Sequence, residues 1–250
     1  MRALILAAGY GTRLYPYTKN FPKPLLEIAG KPILQYLVDK LLAEKAVSEI
    51  IVVTNARFFR NFTAWKKGVA GRSRITIVSD GTRSPEDKLG AIGDMEFVFN
   101  RQRRASDFLV LGGDNFFEEP LGGFIASARK RAGAATIGVF KLKDRKEARK
   151  YGVVELDPNK RVVSFEEKPA APRSNLIGMC LYYFPAQDTG LLAQYLADPA
   201  NTRDTIGSSI RWLSRNGKMY GYVFSRFWYD IGSLNAYKEA RETVKGDSTR

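Results

Sequence analysis

The sequence predicts an α/β fold, a mostly parallel sheet with helices on both faces. Three observations support this: short continuous apolar runs, helical periods between them, and alternation of the two over the first 140 residues. Ala3–Ala8 is an apolar run ending in glycines, as a strand buried on both faces would be. From Ile33 to Leu42, Leu34, Leu37, Val38, Leu41 and Leu42 recur on one helical face. Glu49–Thr54 predicts a second strand, Arg57–Lys67 a helix and Ile75–Ser79 a third strand. Phe108–Gly113 follows as a fourth strand, Leu121–Arg131 as a helix and Thr136–Phe140 as a fifth strand.

The pattern then changes. Gly152–Leu156 and Arg161–Phe165 predict a hairpin around the turn residues Asp157-Pro158-Asn159. Leu176–Phe184 predicts another strand. Ile206, Ile210 and Leu213 mark a helix, Tyr220–Phe224 a strand and Leu234–Val244 a closing helix. With no repeat and no linker in sight, 1–245 is expected to be one domain, divided near residue 140, and 246–250 a tail.

Composition narrows the chemistry. There is no histidine and only one cysteine in 250 residues. Ser-His-Asp triads, Cys-His dyads, H-E-x-x-H zinc sites, Cys zinc clusters and internal disulfides are therefore excluded. Any metal must be held by oxygen, which favours Mg²⁺, Ca²⁺ or Mn²⁺. The formal charge of +14 fits a polyanionic partner, whether nucleic acid, an anionic membrane or phosphorylated small molecules. The longest uncharged run, Ser174 to Gln187, has 14 residues, too few to span a bilayer. With no export signal recognised and one unpaired cysteine, the expected location is the cytosol.

The run Leu6-Ala7-Ala8-Gly9-Tyr10-Gly11-Thr12-Arg13 takes a strand into a glycine loop and then an arginine. Glycines bring backbone N–H groups close to an anion, and Arg13 adds a fork of donors suited to phosphate oxygens. The spacing matches neither of the common phosphate loops. In Phe21-Pro22-Lys23-Pro24-Leu25-Leu26 two prolines stiffen the segment that carries Lys23. Asp114 follows a strand and two glycines, where open α/β sheets place ligands. Asp230 sits among aromatic and apolar residues, where a carboxylate needs a partner.

These segments, with Gly30-Lys31-Pro32-Ile33-Leu34, resemble the sugar-phosphate nucleotidylyltransferases. So do Leu89-Gly90-Ala91-Ile92-Gly93, Leu111-Gly112-Gly113-Asp114-Asn115, Tyr151-Gly152-Val153-Val154, Phe165-Glu166-Glu167-Lys168-Pro169, Ser174-Asn175-Leu176 and Trp228-Tyr229-Asp230-Ile231-Gly232. The resemblance implies a Rossmann-like three-layer α/β sandwich, with a mixed sheet and inserted strands that hold the sugar. It also implies a reaction, NTP plus sugar-1-phosphate giving NDP-sugar plus pyrophosphate. The nearest relatives resemble glucose-1-phosphate thymidylyl and uridylyl enzymes, so glucose-1-phosphate with a pyrimidine NTP, dTTP or UTP, is the expected pair.

By the same resemblance Arg13, Lys23 and Lys168 are catalytic. Leu6, Ala8, Gly9, Gly11, Thr12, Asp80 and Gly90 bind the nucleotide. Gly152, Glu167, Lys168, Asn175, Gly178 and Tyr182 bind the sugar phosphate. Asp114 and Asp230 hold Mg²⁺, with Mn²⁺ as a substitute. Cys180 reads as a small core residue.

One segment departs from the pattern. The thymidylyl enzymes carry a glutamine before the glycine segment, whereas Asp80-Gly81-Thr82-Arg83-Ser84-Pro85 has none, leaving Asp80 or Thr82 to meet the base. No hexapeptide repeat follows, so the acetyltransferase-bearing and β-helix-bearing types are not expected. Two alternatives stay open: a cytidylyltransferase for phosphocholine or another phosphomonoester, and a non-catalytic nucleotide-sugar-binding homologue. No nucleic-acid or membrane partner is expected, and a homo-oligomer is left open.

Overall fold

The computed structural model describes residues 1–101, 105–131, 133–204, 206–216 and 219–247. The chain forms, in order, β1 (Arg2–Leu6), β2 (Glu27–Ile28), β3 (Lys31–Pro32), α1 (Ile33–Ala43), β4 (Glu49–Thr54), α2 (Phe59–Lys67) and β5 (Ile75–Ser79). There follow α3 (Gly90–Phe99), β6 (Phe108–Gly112), β7 (Asn115–Phe117), α4 (Gly122–Lys130), β8 (Ala135–Lys141), β9 (Gly152–Leu156) and β10 (Val162–Glu167). β11 (Leu176–Phe184), α5 (Leu191–Ala197), α6 (Ile206–Asn216), β12 (Met219–Phe224), β13 (Trp228–Asp230) and α7 (Leu234–Asp247) complete it. α7 takes in the first two residues of the expected tail, and 248–250 lie outside the described residues.

Among the described residues, nine strands make one sheet. β5, β4, β1 and β6 are parallel neighbours in that order. β11 pairs antiparallel with β6 along one edge and with β8 along the other, and β12 pairs parallel with β8. β9 pairs antiparallel with the N-terminal end of β11, and β10 with β9. Followed through these pairings, seven described strands run one way and only β10 and β11 oppose them. β8 therefore keeps the predicted direction but is not β6's neighbour, because β11 lies between them.

The strands alternate as a sheet buried on both faces must. Ala3, Ile5, Ile50, Val52, Leu109 and Leu111 pack in one core with α1, α2 and α4. Leu4, Ile51, Val53, Phe108 and Val110 pack in a second core with α3, α5 and α6. These are the outer layers of a three-layer sandwich. A third cluster joins Leu14, Ile28, Ile33, Phe116, Ile231 and Tyr237, and so ties the chain's two ends together.

α3 is the main element missing from the sequence reading. Its two glycines and apolar residues on several sides hide any helical period, since it is wedged between the sheet and α5 and α6. The small antiparallel pairs β2–β3 and β7–β13 also went unread.

Gly152 has a packing reason to be glycine. A Cβ there would lie 2.3 Å from Phe165 Cζ, and Phe165 is a core residue. Gly152→Ala is expected to cost about 1–3 kcal/mol by overpacking, seen as a lower Tm in a thermal melt. An unchanged Tm would show that the ring swings away freely.

Candidate active site

Parallel strands end together, and this places the site. In the β1–β6 register Leu6 lies opposite Gly112, so the glycine loop and Asp114 leave the sheet side by side. Gly113 N–H donates to Leu6 O at 2.8 Å, and Ala7 N–H donates to Val53 O at 2.9 Å. The Asn55 side-chain amide donates to Ala8 O at 2.8 Å and fixes the loop from β4's end. The Thr18 hydroxyl donates to Gly11 O at 2.7 Å.

Above these strand ends lies a cavity of about 490 Å³. Of the residues singled out in the sequence, Leu6, Ala8, Gly9, Gly11, Thr12, Arg13, Lys23, Asp80, Gly90 and Asp114 all line it. Lys23 sits in a short 3-10 turn between its two prolines and forms an ion pair with Asp114 through Nζ and Oδ2. Burial disfavours the charged form of Asp114, but the Lys23 ammonium, helped by Arg13, holds its carboxyl below the usual range.

Asp230 reaches the same place from 116 positions along the chain. β13 pairs with β7 so that Asp230 faces Asn115, and Ile231 N–H donates to Asp114 O at 3.2 Å. Burial and the charge on Asp114 push Asp230 up to about 6, against the pull of Lys23, Arg13 and Lys168. Asn115, 2% exposed, locks the arrangement. Its side-chain amide donates to Gly112 O at 3.3 Å and Cys180 O at 3.2 Å, and its carbonyl accepts from Trp228 Nε1 at 2.8 Å.

The donor set suits Mg²⁺. Among the described residues no cluster of three or more Asp, Glu, His or Cys side chains gathers. Two adjacent carboxylates, with oxygen ligands otherwise left to a substrate's phosphates, are what Mg²⁺ takes from a protein. Their mutual repulsion, visible in the raised Asp230, is what a cation would relieve.

The expected sugar-phosphate residues lie apart from the cavity lining, along β9, β10 and β11. Lys168, in a left-handed conformation (φ 45°), follows β10 and is 3.9 Å from Glu167 Oε1. Its charge reaches Asp230. Glu167 packs against α6, where a Cβ on Gly207 would lie 2.2 Å from its Oε2. Asn175 spends a side-chain N–H on Leu142 O at 2.7 Å. Gly178 lies opposite Val139 in the sheet. Tyr182 is 4% exposed and packs in the second core, where burial raises its hydroxyl well above the usual tyrosine range.

Gly90 has a structural role as well. Its φ is 77°, and a Cβ would lie 2.5 Å from Arg203 O. Cys180 departs from a plain core reading. It sits in a β11 bulge with φ 52°, and it lines the cavity beside Asp114. Burial and the charges of Asp114 and Asp230 push its thiol far up, so it is no nucleophile. The sequence reading also missed Asp94, Lys88 and Asp204 in the lining. Only the glycine segment beside them offered a signal.

The sequence model of the family described as "Nucleotidyl transferase" matches residues 2–246. The chain belongs to this family. Two relatives within reach are the "Bifunctional protein GlmU" of Methanocaldococcus jannaschii, 31% identical over 93% of this chain and 51% of that protein, and the "Probable mannose-1-phosphate guanylyltransferase 3" of Oryza sativa subsp. japonica, 31% identical over 95% of this chain and 63% of that protein. The chain thus spans between half and two thirds of the length of these family members. A solved structure described as a "Putative Glucose-1-Phosphate Thymidylyltransferase from Bacillus anthracis in Complex with a Sucrose" superposes with a TM-score of 0.82 at 22% identity, covering 98% of this chain and 95% of that one. That match establishes the Rossmann-like sandwich shared with the family. Among the described residues no helix is long and apolar enough to cross a membrane.

Proposed function

We propose that the chain catalyses nucleotidyl transfer from an NTP to a sugar-1-phosphate. A phosphate oxygen of the sugar-1-phosphate attacks the α-phosphorus in line. The bond from that phosphorus to the β-phosphate oxygen breaks, and pyrophosphate leaves. The attacking phosphate is already ionised at neutral pH, so no protein nucleophile is needed, and catalysis is positioning and charge neutralisation. The observation that carries this reading is the convergence of Arg13, Lys23 and Asp114 on one cavity, with Asp230 beside them.

Arg13 holds the leaving pyrophosphate. Lys23 leaves Asp114 to screen the α-phosphate from the attacking phosphate, and Lys168 fixes the sugar phosphate. Asp114 and Asp230 would hold Mg²⁺, which when bound supplies neutralisation of phosphate charge. Residues 1–140 form the nucleotide part of the domain and 141–245 the sugar part. Glucose-1-phosphate with dTTP or UTP is the pair that the motif resemblance favours. The reading also places the protein in the cytosol, with no nucleic-acid partner.

The test is a matrix of NTPs against sugar-1-phosphates and phosphocholine, read by pyrophosphate release. Turnover of sugar-1-phosphates supports the reading. Turnover of phosphocholine alone, or binding without any release, overturns it in favour of a cytidylyltransferase or a binding protein.

Glu167→Gln is expected to raise the KM for the sugar phosphate more than that for the NTP. The change keeps the size but removes a charged acceptor, worth roughly 1.5–3 kcal/mol per hydrogen bond. Steady-state kinetics with each substrate varied in turn checks this, and equal effects on both would sever Glu167 from the sugar.

A further inference from the structure

Thr18 has no part in the mechanism above, yet its burial sets it apart from its neighbours. Tyr15, Tyr17, Lys19 and Phe21 are exposed on either side, while Thr18 is 0% exposed. A strap that turns one polar side chain inward must give its hydroxyl a partner. That partner is the Gly11 carbonyl, at 2.7 Å. The Thr18 carbons also fill the space beside Gly11, where an added Cβ would lie 3.2 Å from Thr18 Cβ and 3.3 Å from its Cγ2. The strap is held in turn from the connection after β4, where Arg57 Nη2 donates to Lys19 O at 2.6 Å.

Gly11 is the pivot of the glycine loop. Its φ of 63° and ψ of 29° are left-handed. Glycine crosses between backbone conformations freely, so the peptide that follows it can flip at little steric cost. Here the Gly11 carbonyl accepts from Leu14 N–H at 2.9 Å and from the Thr18 hydroxyl. A carbonyl oxygen has two lone pairs, and both are taken. In a trans peptide the N–H points opposite to the C=O. With Gly11 O turned to Thr18, the Thr12 N–H is turned the other way. Among the described residues, Gly11, Thr12 and Arg13 line the cavity and Thr18 does not, so the other way is the cavity side. A flipped peptide would instead aim a carbonyl oxygen at the phosphates.

Arg13 belongs to the same turn. Leu14, 1% exposed, is anchored in the third cluster on one side of it, and Thr18 holds Gly11 on the other. Arg13 is exposed between these two fixed points, so the turn and not packing of its own sets its direction.

We propose that Thr18 is a positioning residue for the NTP. Its hydroxyl locks the Gly11–Thr12 peptide with the N–H toward the phosphates, and it fixes the turn that presents Arg13. The inference rests on the proposed function in taking phosphates as the occupant of the loop.

The experiment is steady-state kinetics on Thr18→Val, Thr18→Ser and Thr18→Ala with each substrate varied in turn, beside calorimetric titration of the same proteins with inorganic pyrophosphate in Mg²⁺. Valine keeps the shape and loses the hydroxyl, whereas serine keeps the hydroxyl and loses the methyl. Thr18→Val should lower kcat/KM for the NTP and weaken pyrophosphate binding by on the order of tenfold each, with the KM for the sugar phosphate within about twofold of wild type. Thr18→Ser should restore most of the loss. A purely structural threonine would move both substrates alike, and serine would fare no better than valine. Wild-type NTP kinetics and pyrophosphate affinity in a folded Thr18→Val, equal effects on both substrates, or no rescue by serine overturns the inference. If Thr18→Val does not fold, Thr18→Ser and Thr18→Ala, which differ only in the hydroxyl, decide by the same ratios. Weakened pyrophosphate binding in Thr18→Val, with no turnover of any sugar-1-phosphate by the wild type, leaves the inference standing and removes the catalytic reading. Wild-type turnover with an unaffected Thr18→Val does the reverse, and a wild type that binds neither NTP nor pyrophosphate overturns both.

Discussion

Asp114→Asn and Asp230→Asn are each expected to lower kcat by on the order of 10²–10³-fold and to raise the Mg²⁺ needed for half-maximal activity. The two carboxylates meet through the β7–β13 pairing, and only Lys23 forms an ion pair with them among the described residues. A triphosphate and a sugar phosphate add several more negative charges to that pocket. Without a cation the repulsion opposes both binding and the attack of one phosphate on another. Asparagine keeps the shape and a neutral oxygen but removes one charge. With both residues serving one ion, as proposed, the double variant should be little worse than the worse single one. Metal titrations on all three variants check this. Full activity in excess chelator, or losses strictly additive on a log scale, would break the shared site.

The same Asp230 substitution carries a stability signature of opposite sign. Its carboxyl ionises near 6 in the folded protein but near 3.8 when unfolded. The stability that its proton contributes is complete below about pH 4 and is lost as pH rises through 6. At pH 7 the ionised carboxylate therefore costs the metal-free fold up to about 3 kcal/mol, from a shift of about two units. Asp230→Asn should melt higher than wild type in chelator, by a margin that grows between pH 4 and 7. A variant both less active and no more stable would show that Asp230 is not held under this repulsion.

Arg13→Ala is expected to cut kcat/KM by on the order of 10²-fold or more. Arg13 is exposed and lines the cavity one residue past the Gly9–Thr12 loop. Its charge acts on Asp114 and Asp230. An exposed side chain at the cavity has no core to support, so the Tm should change little while activity falls if Arg13 meets phosphate as proposed. Arg13→Lys should recover only part of the loss, since an ammonium cannot match the two-point fork of a guanidinium. Near wild-type kinetics for Arg13→Ala would reduce the glycine loop to a simple turn.

Much of this molecule could be read locally. The apolar runs became β1, β4, β6 and β11 because a strand covered on both faces must be apolar at consecutive positions. The periodic face of Leu34, Leu37, Val38 and Leu41 became the buried side of α1. Arg13, Lys23 and Asp114 were visible because each stands in a rigid or glycine-rich context suited to phosphate or metal. Their neighbourhood follows almost directly, since parallel strands end at one edge.

Partners distant in sequence were decided only by the tertiary structure. β11 inserts between β6 and β8, and no local period reports which strand lies beside which. α3 lost its period because it is buried on more than one side. Asp94 became a cavity wall by that same burial, and it stands beside Asp80 only because α3 packs against the sheet. The bulge that turns Cys180 toward Asp114 is a register shift, invisible without the pairing partner. By itself the sequence determined which residues are apolar, which side chains are of kinds suited to phosphate and metal, and that no histidine takes part. The tertiary structure decided which carboxylates share a pocket, because the repulsion that shifts Asp230 and Asp94 exists only once burial and sheet register bring separate segments together.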